Sequence, residues 1–305
     1  MDGAELGGPD SGGPDTAGAD MAGADMAGAS AGGREPDDSW TAKVAGLDPS
    51  RANIARMSDY LLGGKDNFAA DREFAESLMA IAPEVKTMAV DTRTFLERVV
   101  RFLVDQGVRQ FLNVASGLPT RRNTHEVAQE LAPDARVVYV DDDPVVLSHA
   151  RALLARTPGT GVVKGSILRP AEMLADPEML RLVDFRQPVG LLIPARLQYL
   201  PDSAEPYKCV AYVRDHLAPG SYLAVGHAVF DTRPELAGPL VELFRQIVAR
   251  ADEVPRTREK VLRFFDGTEL VEPGLVYIRQ WRPEAEESAA RSQRVWIVGG
   301  VGRVP

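Results

Sequence analysis

At 305 residues and 45% hydrophobic content, the chain is long enough to bury a substantial core. Its net charge of −9 comes almost wholly from the first 40 residues; residues 41–305 hold 35 acidic and 34 basic side chains, so no broad basic surface speaks for a nucleic-acid partner. A single cysteine, Cys209, excludes an intrachain disulfide and a cysteine-rich zinc site. With no basic-then-apolar leader and no apolar run of about 18 residues, the expectation is a cytoplasmic chain that does not cross a membrane.

Residues 1–40 are built from Gly, Ala, Asp and Pro, with Gly-Gly-Pro-Asp at 7–10 and 12–15 and Ala-Gly-Ala-Asp at 17–20 and 22–25. That composition cannot pack a core and reads as a disordered acidic tail, with recruitment of a partner as the alternative. Over 41–106 the apolar residues fall three or four apart, as in Ile54, Met57 and Leu61 and again in Phe95, Val99, Phe102 and Leu103. This is a helical N-terminal layer, interrupted near Gly63-Gly64 and Pro83.

From 107 to 305 short apolar runs alternate with helical stretches. Strands are expected at Val108–Ala115, Val137–Val140, Val162–Val163, Val189–Ile193 and Tyr222–Val225, and helices at 122–132, 144–155, 170–182 and 204–217. Such alternation requires crossover connections and gives an α/β fold with a mostly parallel sheet covered on both faces. A further helix over Pro234–Ala251 and two late strands, Leu275–Trp281 and Arg294–Val298, would add antiparallel strands at an edge.

The first strand ends in Asn113-Val114-Ala115-Ser116-Gly117 and runs through a short loop into a helix, where Gly117 permits close approach of a ligand. The second strand ends at Asp141, 24 residues further on, near the place where an acidic residue accepts hydrogen bonds from ribose hydroxyls. Asp141-Asp142-Asp143-Pro144 also reads as a helix cap, which is the favoured role for Asp143. These residues point to a nucleoside-containing ligand without choosing among such ligands.

The stretch Asp59-Tyr60-Leu61-Leu62-Gly63-Gly64-Lys65-Asp66-Asn67-Phe68-Ala69-Ala70-Asp71 resembles the signature of the actinobacterial S-adenosyl methyltransferase family. Further matching segments lie at 110–120, 138–147, 218–227, 264–273 and 300–303. The resemblance runs from about residue 48 to the C-terminus. It implies a Rossmann-like class I methyltransferase fold with a mostly parallel seven-stranded sheet, a helical N-terminal extension and antiparallel C-terminal strands, and S-adenosylmethionine as cofactor. It further implies that Ala115, Ser116 and Gly117 meet the methionine end, that Asp141, with Asp142 beside it, meets the ribose, that Ser166 and Ile167 lie beside the adenine, and that Pro194–Arg196 face the methyl group. Lys65, Asn67 and Arg93 become candidates for the methionine carboxylate. On residue types alone, Lys65–Asn67 is a helix-ending turn and Arg93 a solvated helix face.

The chain departs from the family pattern at three places. Asn113-Val114-Ala115-Ser116-Gly117 replaces Asp-Ile-Gly-x-Gly, so Ala115 is strained if its φ is positive. Ser166 stands in place of an adenine-binding aspartate and Gln198 in place of a histidine. His125, His149, His216 and His227 are too scattered for a metal motif; His227, just after the Tyr222–Val225 run, is the candidate general base. Ser116 lacks the full Gly-x-Ser-x-Gly context of a hydrolase nucleophile. The aromatic and cationic residues at 279–283 and 295–297 read as edge strands rather than a base-stacking surface. The functional expectation is methyl transfer to a small-molecule acceptor, with a fold-retaining binding or regulatory protein as the alternative; the oligomeric state is not legible.

Overall fold

A computed structural model describes residues 47–120, 122–154, 157–283 and 295–305. The tail at 1–40 and Arg294, the first residue of the last expected strand, lie outside them.

The N-terminal layer is three helices, α1 (Ile54–Leu61), α2 (Ala69–Ile81) and α3 (Val85–Asp105). Their breaks fall where Gly63-Gly64 and Pro83 stop helical hydrogen bonding. Asn53 caps α1, its Oδ1 accepting from the backbone N–H groups of Ala55 (2.7 Å) and Arg56 (3.3 Å). Asp71 joins the first two helices: its carboxylate accepts from the N–H groups of Asn53 and Phe68 and from Arg56 Nε, each at 2.8 Å. Both charges of that ion pair are buried, so the pair is held by the hydrogen bonds that complete it. Along α3, Val85, Met88, Thr92, Phe95, Leu96, Val99, Val100, Leu103 and Val104 form one buried stripe.

The sheet follows as β1 (Gln110–Val114), β2 (Arg136–Asp141), β3 (Thr160–Lys164), β4 (Gly190–Ile193), β5 (Tyr222–Ala228), β6 (Glu269–Leu270), β7 (Val276–Tyr277) and β8 (Ile297–Arg303). Its order is β3-β2-β1-β4-β5-β8-β6, with β7 also paired to β8. β1 to β5 are parallel, whereas β8 runs antiparallel to β5 and to both short strands. The seven-stranded path is therefore accompanied by an eighth short strand. β8 lies inside the sheet, between β5 and the two short strands, and not at its edge. Between the strands run α4 (Thr124–Leu131), α5 (Pro144–Leu153), α6 (Pro170–Leu174), α7 (Pro177–Leu182), α8 (Pro206–Arg214), α9 (Pro234–Phe244) and α10 (Arg258–Leu262).

Side chains alternate across the strands into two cores. Phe111, Val137, Tyr139, Leu192, Tyr222 and Val301 pack with α1 to α4 and α9 on one face. Leu112, Val138, Val140, Leu191, Leu223 and Val298 pack with α6 to α8 and α10 on the other.

Several element expectations change, among them the last strand, expected over Arg294–Val298 and observed as β8 at Ile297–Arg303. The helix expected over 170–182 is two helices, because Asp176 accepts from the N–H groups of Glu178 and Met179 and starts a new helix with Pro177 in its first turn. The helix from Pro234 ends at Phe244 rather than Ala251. The strand expected over Leu275–Trp281 is β7 followed by a tight turn at Ile278–Gln280, held against α3 by Arg98, whose Nε donates to Trp281 O at 2.9 Å. No helix among the described residues is long and apolar enough to cross a membrane.

Candidate active site

A cavity opens beyond the carboxyl ends of β1, β2, β4 and β5, roofed by α1 and α3 and flanked by α9. The strand order reverses between β1 and β4, which is where open α/β sheets bind ligands.

The turn after β1 folds onto the end of β2. Ala115 N donates to Val140 O at 2.7 Å, and Gly117 N donates to Asp141 Oδ2 at 3.1 Å. Both Ala115 (φ 54°) and Gly117 (φ 67°) are left-handed. Glycine adopts that conformation freely, whereas alanine is strained in it by about 1–2 kcal/mol.

Asp141 is 8% exposed. Besides Gly117 N–H it accepts the N–H groups of Asp142 (2.9 Å) and Asp143 (3.0 Å) on Oδ1. Burial pushes its pKa up to about 6, against the downward pull of the Asp143 and Gly117 hydrogen bonds. Three of the roughly four lone-pair sites of the carboxylate are thus occupied, leaving one for a ligand hydroxyl. Asp142 lines the same end of the cavity with Arg196 Nη2 3.7 Å from its Oδ2. Asp143 is a cap: Oδ1 accepts from the N–H groups of Val145 and Val146, and Oδ2 accepts from Asn53 Nδ2 at 2.8 Å. The two capping residues of α1 and α5 are therefore bonded to each other across the rim.

Arg93 reaches from α3 to the glycine turn, where Nη2 donates to Leu118 O at 3.3 Å. It lines the cavity and makes no ion pair with any described acid. The atoms packed around it lower its pKa, although part of its surface stays open to the cavity. A desolvated guanidinium that faces a cavity, with no carboxylate in ion-pair contact and the Asp59 charge acting on it from farther off, is suited to an anionic ligand group.

The other candidates divide. Ser116 and Pro194 line the cavity. Ser166 and Ile167 lie outside its lining, and Ile167 is buried in the core below the sheet. Lys65 is exposed and away from the cavity. Asn67 holds the loop together, its Nδ2 donating to Asp59 Oδ2 at 2.8 Å and to Gly64 O at 3.2 Å. Asp59, absent from the sequence-based candidates, is the centre of this signature: it is buried, lines the cavity, and also accepts from Asp66 N at 2.9 Å. A Cβ at Gly64 would collide with its carboxylate, which explains the glycine.

His227 is buried, with Nδ1 2.6 Å from Ala228 O and Nε2 3.3 Å from Arg256 Nη1. The carbonyl accepts from Nδ1, so Nε2 accepts from the arginine and the ring is neutral. Burial, with the Arg256 charge, pushes its pKa down to about 3. Arg256 is the second residue that local pattern did not reveal. Fully buried, it donates to Leu197 O (2.9 Å), Leu200 O (2.7 Å), Asp202 Oδ1 (2.7 Å) and Tyr207 Oη (3.1 Å) as well as to His227. Its partners lie 29–59 residues away, so no local pattern signals it.

Gln198 Oε1 accepts from Ala228 N at 2.9 Å. It thereby ties the segment after β4 to the end of β5.

Comparison with known proteins identifies relatives of this chain. A crystal structure of a protein from Thermobifida fusca assigned as a methyltransferase is 42% identical, covering 85% of this chain and 97% of its own, with a TM-score of 0.79. A DUF574 family protein from Streptomyces avermitilis is 34% identical, covering 85% of this chain and 99% of its own, with a TM-score of 0.78. No curated protein matches the chain. The profile of the S-adenosyl methyltransferase family matches residues 40–305. The chain therefore belongs to the S-adenosyl methyltransferase family, and S-adenosylmethionine is its cofactor.

Proposed function

We propose that the chain transfers the methyl group of S-adenosylmethionine to a small-molecule acceptor. The observation that carries this reading is Arg93, a desolvated cation in ion-pair contact with no described acid, aimed at the turn where the cofactor carboxylate would lie. Asp141 and Asp142 would share the two ribose hydroxyls, since one lone-pair site remains on Asp141. Gly117 lets the backbone approach, and Pro194 with Ala195 would face the methyl group.

S-adenosylmethionine supplies an electrophilic methyl on a sulfonium, so what the protein must add is alignment and exclusion of water. α1 and α3 cover the cavity and serve that end. His227 has both ring nitrogens engaged, so its role here is to hold the end of β5 and not to remove a proton. The family match lends no support to the alternative of a binding protein without turnover.

Calorimetric titration with S-adenosylmethionine and S-adenosylhomocysteine tests the reading. The expected result is binding of both, weakened at least tenfold by Arg93→Ala and by Asp141→Ala, since hydrogen bonds to charged groups contribute about 1.5–3 kcal/mol each. Absence of binding by the unaltered protein, or full affinity in both variants, would remove the proposal.

A further inference from the structure

The end of the cavity away from the glycine turn lies among α3, α9 and the start of β8. Met88, Phe230, Val241, Phe244 and Trp296 line it. Polar groups are present there, and Trp296, Thr92, Gln198 and His227 are each bonded within the protein. Trp296 Nε1 donates to Glu84 Oε1 at 3.1 Å, and Thr92 Oγ1 donates to Met88 O at 2.8 Å. Gln198 accepts from Ala228 N, while His227 is bound between Ala228 O and Arg256. Tyr199 keeps its proton, because burial raises its phenol above the ordinary value. The lining acids Asp59, Asp141 and Asp143 accept from backbone or amide N–H groups, and Asp142 faces Arg196.

Resting on the methyltransferase reading, we propose that this end takes an uncharged, apolar acceptor whose nucleophile needs no base from the protein, an aryl amine. A charged acceptor would lose its hydration to a wall of carbon and find no partner there, a cost of several kcal/mol. An unactivated alcohol is a poor nucleophile until a base takes its proton; His227 at this end is bonded on both ring nitrogens, and the lining acids sit on α1 and at the end of β2 rather than on α3, α9 or β8. An aryl amine is neutral near pH 7. Its nitrogen lone pair forms the new bond to the methyl carbon while the carbon–sulfur bond breaks, both of its electrons going to sulfur. The ammonium product then gives its extra proton to water.

The test uses the full chain and three probes with one apolar body: para-tert-butylaniline, para-tert-butylbenzyl alcohol and para-tert-butylbenzoate. Binding is measured by calorimetry in the presence of saturating S-adenosylhomocysteine, and methylation by mass spectrometry with S-adenosylmethionine. The aniline and the alcohol are expected to bind, only the aniline is expected to be methylated, and the benzoate is expected to bind at least about tenfold more weakly than the aniline. Val241→Glu, at a half-buried position on α9, should weaken the aniline by a similar factor while leaving S-adenosylhomocysteine affinity unchanged. Binding of S-adenosylhomocysteine with no binding of the neutral probes overturns this inference alone, whereas failure to bind S-adenosylhomocysteine overturns the functional reading beneath it. Benzoate binding equal to that of the aniline, methylation of the alcohol at the aniline rate, or an unaffected Val241→Glu variant would each overturn the assignment.

Discussion

Ala115 is the residue where sequence and conformation disagree most plainly. Its left-handed φ is one that glycine adopts without strain, so Ala115→Gly should raise stability by about 0.5–1 kcal/mol after the greater flexibility of glycine in the unfolded chain is subtracted. Urea denaturation measures this directly. Asp141 carries a pH signature. With its pKa raised to about 6, it is partly protonated in mild acid, and a protonated carboxyl accepts hydroxyl hydrogen bonds less well. S-adenosylhomocysteine affinity should therefore fall as the pH drops from about 7 to 5, and titrations of Asp141→Asn should lack that slope. The effect on the ligand-free fold has the opposite sign: a raised carboxyl pKa favours folding at low pH, and that contribution disappears as pH rises through about 6. Gly117 and Asp141 were legible because order and spacing along the chain place them at adjoining strand ends. Asp59 and Arg256 were not, since the roles of both rest on three-dimensional partners, in one case a loop wrapped around a carboxylate and in the other a guanidinium gathering carbonyls from a distant segment.

At the level of elements, the N-terminal helices are fastened to the nucleotide-binding half at the rim. Asn53 Nδ2 donates to Asp143 Oδ2, and His149 Nε2 lies 3.5 Å from Asp66 Oδ1. Asn53→Asp keeps an oxygen to cap α1 but sets a second carboxylate against Asp143. Amide hydrogen exchange in α1 should accelerate in this variant, whereas Asn53→Ala should additionally lose the cap, worth about 1 kcal/mol. If neither variant changes exchange in α1, the link does not fasten the layer. Element types followed from periodicity along most of the chain, and the breaks at Gly63-Gly64 and Pro83 were readable. The division at Asp176-Pro177 was also present in the sequence as a capping pair. The end of α9 at Phe244 was not, because the following residues continue a helical pattern without a Gly or Pro stop. The shortness of β7 depends on Arg98 drawing the next turn onto α3, a tertiary contact with no local sign.

For the molecule as a whole, the buried pair His227 and Arg256 couples stability to acidity. The imidazole is neutral in the fold, with a pKa pushed down to about 3, while in the unfolded chain it takes a proton near its ordinary value of 6.5. Its contribution is therefore complete above about pH 6.5 and is lost progressively as the pH falls toward 3. Wild-type stability measured across this range should lose more with acid than that of His227→Gln, and parallel curves would refute the coupling. The doubly wound class followed from alternating elements, but the strand order did not. β8 enters the sheet from far along the chain to lie beside β5, and nothing local to either strand dictates that neighbour.

That same strand carries three glycines in seven residues, and their missing side chains act together as a key. At Gly299 a Cβ would stand 2.7 Å from the Phe95 ring, and at Gly302 it would collide with Thr268. Sliding β8 by one residue sets Val301 or Arg303 beside Thr268, and sliding it by two sets Ile297 or Val301 against Phe95. Only one alignment admits the strand, so its partners β6 and β7, two residues each, do not have to encode the register that a longer strand would specify by its hydrophobic pattern. The alignment that survives pairs Ile297 with Ala228, both of which line the cavity, so the fit of two absent side chains fixes one wall of the acceptor cavity.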